Sequence, residues 1–357
     1  MTTVAALSGD TRRNLSAPSM AAASFHIGYA LDLIHTVCQL AGSFSLIDDI
    51  RESLAAKDVL QAVREHNSEH VFEWLMANFS LQGISDAVAT SFMKRHGRLR
   101  SRDLAKGLQA PPSCPKLRTY WHFDKCGYHK GSGSCFEPEH FLNCPLPTHP
   151  LRNGRLNQTA YSLFLFIRDA ADGDLIHWID RQLAAADLAE APDRVARMRN
   201  ALIDPLCNVY GVSHKVLTMT LSQLLIGGGQ ERERWNEVGV SMIAVDTLVH
   251  NFLHRTGIIQ RLGGVHRYGT ACYQTGGCAD LIEQLSAIID ARAFNQNFPP
   301  VFPRFVQHAI WRYCAQAGLD VCNGNRIDDR ERCQHIYCRL YSNCDRRHLF
   351  DQSNGVN

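Results

Sequence analysis

Apolar positions recur at helical spacing through most of the chain, and strand-type alternation is rare. Between residues 20 and 110, Leu31-Asp32-Leu33-Ile34 and Ser53-Leu54-Ala55-Ala56, leading into Val59-Leu60-Gln61-Ala62-Val63, set side chains on one helix face. Lys94-Arg95-His96-Gly97-Arg98-Leu99-Arg100-Ser101-Arg102 follows, either a phosphate-facing strip or a solvated basic helix end. Ala110-Pro111-Pro112-Ser113 then breaks the pattern, and Gly131, Gly133, Pro138, Pro145, Pro147 and Pro150 keep it broken. Helical spacing resumes over Asn157–Asp169, Asp174–Ala185 and Asp193–Leu202. No internal repeat and no βαβ signature occurs, so the pattern predicts an all-α protein. Four regions follow: an N-terminal helical region (1–113), a Cys/His-rich loop module (114–150), a helical core (151–305) and a C-terminal helix with a cysteine tail (306–357).

The most informative segment is Leu206-Cys207-Asn208-Val209-Tyr210-Gly211-Val212-Ser213-His214-Lys215-Val216-Leu217. One helix should end before a tight turn at Gly211, where glycine permits a positive φ, and a second should start at Ser213, a good N-cap. The unpaired N–H groups of such a helix start can hold a DNA phosphate. Downstream, Asp246-Thr247 precedes apolar Leu248, Val249, Phe252 and Leu253, which reads as another capped helix start.

Together these segments resemble the endonuclease III superfamily of helix-hairpin-helix DNA glycosylases. Gly211-Val212-Ser213-His214-Lys215 is similar to that family's Gly-Val-Gly-Arg-Lys hairpin, with Ser213 replacing the second glycine. Val245-Asp246-Thr247-Leu248-Val249, then Arg255-Thr256-Gly257-Ile258, is similar to its Val-Asp-Thr-His-Val and Arg-Leu-Gly-Leu, with Leu248 replacing histidine. Gly227-Gly228-Gly229-Gln230-Glu231-Arg232-Glu233-Arg234-Trp235 reads as a loop inserted between them. The resemblance is close over residues 200–260 and holds in outline over 155–345.

The resemblance implies a two-lobed helical fold and a divergent base-excision enzyme that removes a damaged or mismatched base. Asp246 would be the catalytic carboxylate and Lys215 the amine nucleophile of a bifunctional enzyme, with AP-lyase activity through a Schiff base. Gly211, Val212, Ser213 and His214 would bind DNA, and the target base would be flipped out of the duplex. Gln158, in Leu156-Asn157-Gln158-Thr159, is either the side chain that fills the resulting gap or part of a plain N-cap region. The chemistry suits these residue types: breaking an N-glycosidic bond builds positive charge on the sugar, which a carboxylate stabilises. The implied partner is lesion-containing double-stranded DNA, bound by a monomer.

Composition adds little until the cysteines are counted. The 357 residues suffice for two or three compact units, and 45% hydrophobic with 20% charged residues is ordinary for a globular protein. A net charge of +2 requires any DNA-binding surface to gather its positive charge locally. Gly9, Asp10, Arg12, Arg13 and Asn14 interrupt the N-terminus, and no apolar run is long enough for a bilayer. The expectation is therefore a cytoplasmic, nucleoid-associated protein without membrane contact.

In a reducing compartment, thirteen cysteines point to metal or cluster binding before disulfides. Cys322, Cys333, Cys338 and Cys344 form one group, with Cys314 as the competing first ligand. The family's C-terminal [4Fe–4S] site shares only the last spacing, Cys338-x5-Cys344, so iron–sulfur and Zn²⁺ both stay open. Arg339, Arg346 and Arg347 around it could meet the DNA backbone. A second metal or cluster is expected at Cys114, Cys126, Cys135 and Cys144, with His122, His129 and His140 among them and Lys125, Tyr128 and Lys130 alongside. Cys38, Cys207, Cys272 and Cys278 are left over and read mostly as buried structural thiols. Two rivals to the enzyme remain: a non-catalytic hairpin DNA-binding protein, and an iron–sulfur or metal redox sensor on DNA.

Overall fold

The structure, a computed structural model, describes residues 20–82, 86–97, 99–107, 114–121, 123, 126–129, 134–135, 155–262 and 264–349. Helices dominate, as the apolar spacing predicts. The N-terminal region holds α1 (Met20–Ala41), α2 (Leu46–Ala55), α3 (Val59–Arg64), α4 (Ser68–Phe79), α5 (Asp86–His96) and α6 (Ser101–Gly107). A minimal antiparallel pair, β1 (Tyr128–His129) and β2 (Ser134–Cys135), lies in the cysteine-rich module. Then come α7 (Arg155–Leu165), α8 (Leu175–Ala186), α9 (Arg194–Leu206), α10 (His214–Gly228), α11 (Glu233–Ser241), α12 (Thr247–Arg255), α13 (Ile258–Arg261), α14 (Cys278–Ser286) and α15 (Pro303–Cys314). Residues 315–349 follow as turns.

Several helices begin where a side chain can satisfy an orphan N–H of the first turn. Asn67 accepts from His70 at α4, Asp174 from His177 at α8, Ser213 from Val216 at α10 and Asp246 from Val249 at α12. The carboxylate of Asp174 also meets His66 at 2.8 Å, which ties the α3–α4 turn to the start of α8.

α10 is the central element. Val216, Leu217, Leu221, Leu224, Leu225 and Ile226 are buried, and so are the polar Thr218, Thr220 and Ser222, which cover its other faces. A helix enclosed on every side needs close neighbours; α10 packs against α11, α9, α2 and α4.

This packing corrects the expected loop at residues 227–235. α10 runs on through Gly228, a 3-10 turn covers Gly229–Glu231, and α11 starts at Glu233. Gly227 serves close helix packing: a Cβ there would lie 2.3 Å from Leu54 Cδ1 on α2. Trp235, fully buried on α11, donates from Nε1 to Asp180 Oδ1 on α8 at 2.5 Å.

The N- and C-terminal segments meet. α1 packs along α15, and the hydroxyl of Tyr29 on α1 donates to Thr256 O at 2.6 Å and accepts from Asp345 N at 3.0 Å. Arg261 on α13 lies over the Tyr29 ring at 4.1 Å and grips the Asp345 carboxylate with two bonds of 2.9 and 2.7 Å. The irregular tail is thereby fixed against α12 and α13. Among the described residues, no single helix is long and apolar enough to cross a membrane.

Candidate functional site

Gly211 turns the chain between α9 and α10 with φ +78°, a conformation glycine adopts without strain. An added Cβ would also lie 2.7 Å from Thr159 Oγ1 on α7. Ser213 has φ −78° and ψ 148°, so a side chain costs nothing there. Its hydroxyl accepts from Val216 N at 3.4 Å, which makes it the cap of α10.

Gln82, just past α4, clamps the turn from outside. Its Nε2 donates to Gly211 O at 3.0 Å and its Oε1 accepts from Ser213 N at 2.9 Å. Nothing in the sequence pointed to Gln82, because its partners lie about 130 residues away. With Ser213 N occupied, the first-turn N–H groups of His214 and Lys215 are the ones a helix start leaves without intrahelical partners. Gly211→Ala should lower stability by about 2 kcal/mol, from the unfavourable φ together with the Thr159 clash. A urea midpoint shift checks this.

α12 starts opposite. Asp246 Oδ1 accepts from Val249 N at 3.0 Å, and Oδ2 lies 4.0 Å from Lys215 Nζ. One carboxylate oxygen thus holds the helix start while the other faces the amine. Lys215 keeps 37% of its side chain exposed and Asp246 only 14%, so the pair sits at a surface with the carboxylate recessed. Buried Arg304 on α15 is a second cation close enough to feel Asp246; burial pulls its guanidinium down to about 10, and Asp246 opposes that shift.

The His214 ring lies against Tyr273 with centroids 3.9 Å apart and planes tilted by 40°, Nδ1 meets Thr218 Oγ1 at 3.2 Å, and burial lowers its pKa, which favours the neutral imidazole. The Tyr273 hydroxyl accepts from Val245 N at 3.0 Å and donates to Val245 O at 3.2 Å. Tyr273 therefore joins the residue before Lys215 to the residue before Asp246. Gln158 is buried in the first turn of α7.

The four tail cysteines lie near enough for their charges to act on one another. Burial pushes the Cys344 thiol up to about 12, and negative charge at Cys322, Cys338 and Cys333 adds to the rise. Cys344 Sγ accepts from Arg346 N at 3.3 Å, Cys338 Sγ meets the Tyr313 hydroxyl at 3.1 Å, and Arg255 points at Cys322 Sγ from 3.7 Å. Cys314, the competing ligand, is fully buried beside Cys322, with which it shares a proton bond. Arg339 and Arg347 are exposed, and Arg346 lies over the Tyr341 ring at 4.4 Å.

In the earlier group, Cys126 and Cys135 lie near enough for their charge to raise the Cys114 thiol, after burial. Cys144, His122, His140, Lys125 and Lys130 lie outside the described residues, as do the side chains of Tyr128 and His129.

Cys272 and Cys278 are not merely buried structural thiols. With His250 and His266 they form a group whose ligand atoms all lie within 4.8 Å of one another and could hold a metal ion. The sequence does carry the ligands, as His250-x15-His266-x5-Cys272-x5-Cys278, but without a short paired knuckle to mark them. No family model, curated protein or solved structure matches the chain.

Proposed function

We propose that this chain is a base-excision DNA glycosylase with a two-lobed helix-hairpin-helix fold and a lysine-dependent AP-lyase step. The observation that carries the reading is the approach of Lys215 Nζ to Asp246 Oδ2, 4.0 Å apart at the adjoining starts of α10 and α12. Residues 31 positions apart in sequence meet as a nucleophile and a carboxylate.

In this reading the hairpin receives a phosphate of lesion-containing duplex DNA on the His214 and Lys215 N–H groups. The damaged nucleotide is flipped outward. Its C1′–N bond breaks, the base leaves with the bonding electrons, and Asp246 stabilises the positive charge on the sugar. The Lys215 amine, once its ammonium proton has passed to Asp246 or to water, bonds to C1′ through its lone pair and then loses a second proton. The C1′–O4′ bond then breaks to give a protonated Schiff base, and loss of a C2′ proton to a base expels the 3′ phosphate with the electrons of the C3′–O bond. The Asp246 cap would serve a purely DNA-binding hairpin equally; the approach of its second oxygen to Lys215 Nζ is what favours the enzyme over its non-catalytic rival.

The tail thiols would be the ligands of a [4Fe–4S] cluster: Cys322 and Cys333 are buried, and Arg346 N and the Tyr313 hydroxyl supply hydrogen bonds to the sulfurs of Cys344 and Cys338. Such a cluster would brace the tail and leave Arg339 and Arg347 facing solvent, free to meet a DNA backbone. A protein acting on DNA in this way belongs in the cytoplasm with the nucleoid and works as a monomer.

Borohydride trapping on a panel of duplexes (oxidised pyrimidine, 8-oxoguanine mispairs, uracil and thymine mispairs, alkylated bases, an abasic site) tests the reading. A covalent complex with at least one of them is expected from the wild type and none from Lys215→Ala. Trapping by Lys215→Ala at the wild-type level would remove the nucleophile assignment.

A further inference from the structure

We propose that His250, His266, Cys272 and Cys278 bind one Zn²⁺ in a closed tetrahedral site that fixes the Asp246 helix in place. The distances carry the argument. Tetrahedral zinc with Zn–N near 2.0–2.1 Å and Zn–S near 2.3 Å sets each nitrogen about 3.5 Å from each sulfur. His250 Nδ1 lies 3.3 Å from Cys278 Sγ and 3.5 Å from Cys272 Sγ, and His266 Nε2 lies 3.3 Å from Cys278 Sγ. Three of the four nitrogen–sulfur separations already match the edges of a coordination tetrahedron, and all four ligand atoms lie within 4.8 Å of one another.

The surroundings suit a structural ion. His250, Cys272 and Cys278 are fully buried and His266 is partly so. Two nitrogens and two sulfurs complete four-coordination and leave no position for water, which separates this site from catalytic zinc. The mixed N/S donor set selects Zn²⁺ over the oxygen-seeking Mg²⁺ and Ca²⁺. A second layer of contacts orients the loop ligand: His254, one turn beyond His250, meets His266 O through Nε2 at 3.1 Å, and Gln260 Nε2 approaches His254 Nδ1 at 2.8 Å.

The four ligands come from α12, the 264–269 loop, the turn at Thr270–Tyr273 and the first residue of α14. His250 stands one turn after Asp246. Cys272 adjoins Tyr273, whose hydroxyl holds the backbone of Val245. The ion would therefore grip the chain on both sides of Asp246. Its presence is independent of the excision reading; only its effect on the carboxylate rests on that reading.

Metal analysis of the full-length protein, with X-ray absorption at the zinc edge, tests the proposal. The expected result is about one zinc per chain in a shell of two sulfurs and two nitrogens, beside any iron in the tail. Cys272→Ser and Cys278→Ser should lose that zinc and keep the iron, whereas Cys338→Ser should do the reverse. A zinc shell of four sulfurs would place the ion at the tail cysteines and overturn the proposal, as would zinc-supplemented wild type that carries none. The absorption measurement uses wild type alone, so poorly folding variants do not blunt it. Zinc-replete protein that traps no lesion would sink the excision reading and leave this site standing.

Discussion

Asp246→Asn is expected to lower base excision by about 10²–10⁴-fold while leaving stability nearly unchanged. Asp246 has two jobs, and the structure divides them between its oxygens: Oδ1 caps α12 through Val249 N, and Oδ2 faces Lys215. Asparagine caps as well as aspartate, so its amide oxygen can keep the bond to Val249. What disappears is the negative charge beside the sugar, together with about 0.3–1 kcal/mol of helix-dipole stabilisation. Asp246→Ala removes the cap too and should cost about 1 kcal/mol more in folding. Single-turnover excision and urea unfolding of both variants separate the jobs. Full excision by the asparagine variant would eliminate the carboxylate from the chemistry.

That separation explains why this part of the site is legible in the sequence. The starts of α10 and α12 are set by Ser213 and Asp246 acting on N–H groups three residues ahead, so the information is local. Gly211 is legible for the same reason, since its φ belongs to the turn itself. Gly227 is not. A glycine leaves the same local trace in a loop and in a close helix crossing, and here the deciding neighbour is Leu54, far upstream. Gln82, Tyr273 and Arg304 act on the site through contacts between distant elements, which no spacing rule contains. His250 and Cys272 belong to the same class: one lies on a helix, the other on a separate turn, and only folding makes them neighbours. The tail cysteines stand out in the sequence by their density, whereas the Tyr29, Arg261 and Asp345 contacts that fix their segment do not.

Asp329→Ala should destabilise the protein by about 3 kcal/mol, more than Arg255→Met at the other end of the same ion pair. The asymmetry follows from burial. Arg255 has 2% of its side chain exposed, whereas Asp329 has 48%. Removing the arginine leaves a carboxylate that water can solvate and a methionine that can fill much of the space. Removing the aspartate strands a guanidinium in a dry site, the costly way to break a buried pair. Cys322 Sγ at 3.7 Å is a long contact and offsets only part of that loss. The Asp329→Ala/Arg255→Met double variant should therefore be more stable than Asp329→Ala alone, which a urea double-mutant cycle measures directly. Additive losses would show instead that the pair is solvent-screened and contributes little. The damage should also spread to the tail, because Arg255 O accepts from Arg347 N at 2.8 Å and its guanidinium faces Cys322. A guanidinium seeking water would pull on both contacts, so Asp329→Ala should bind less metal at the tail cysteines than Arg255→Met does.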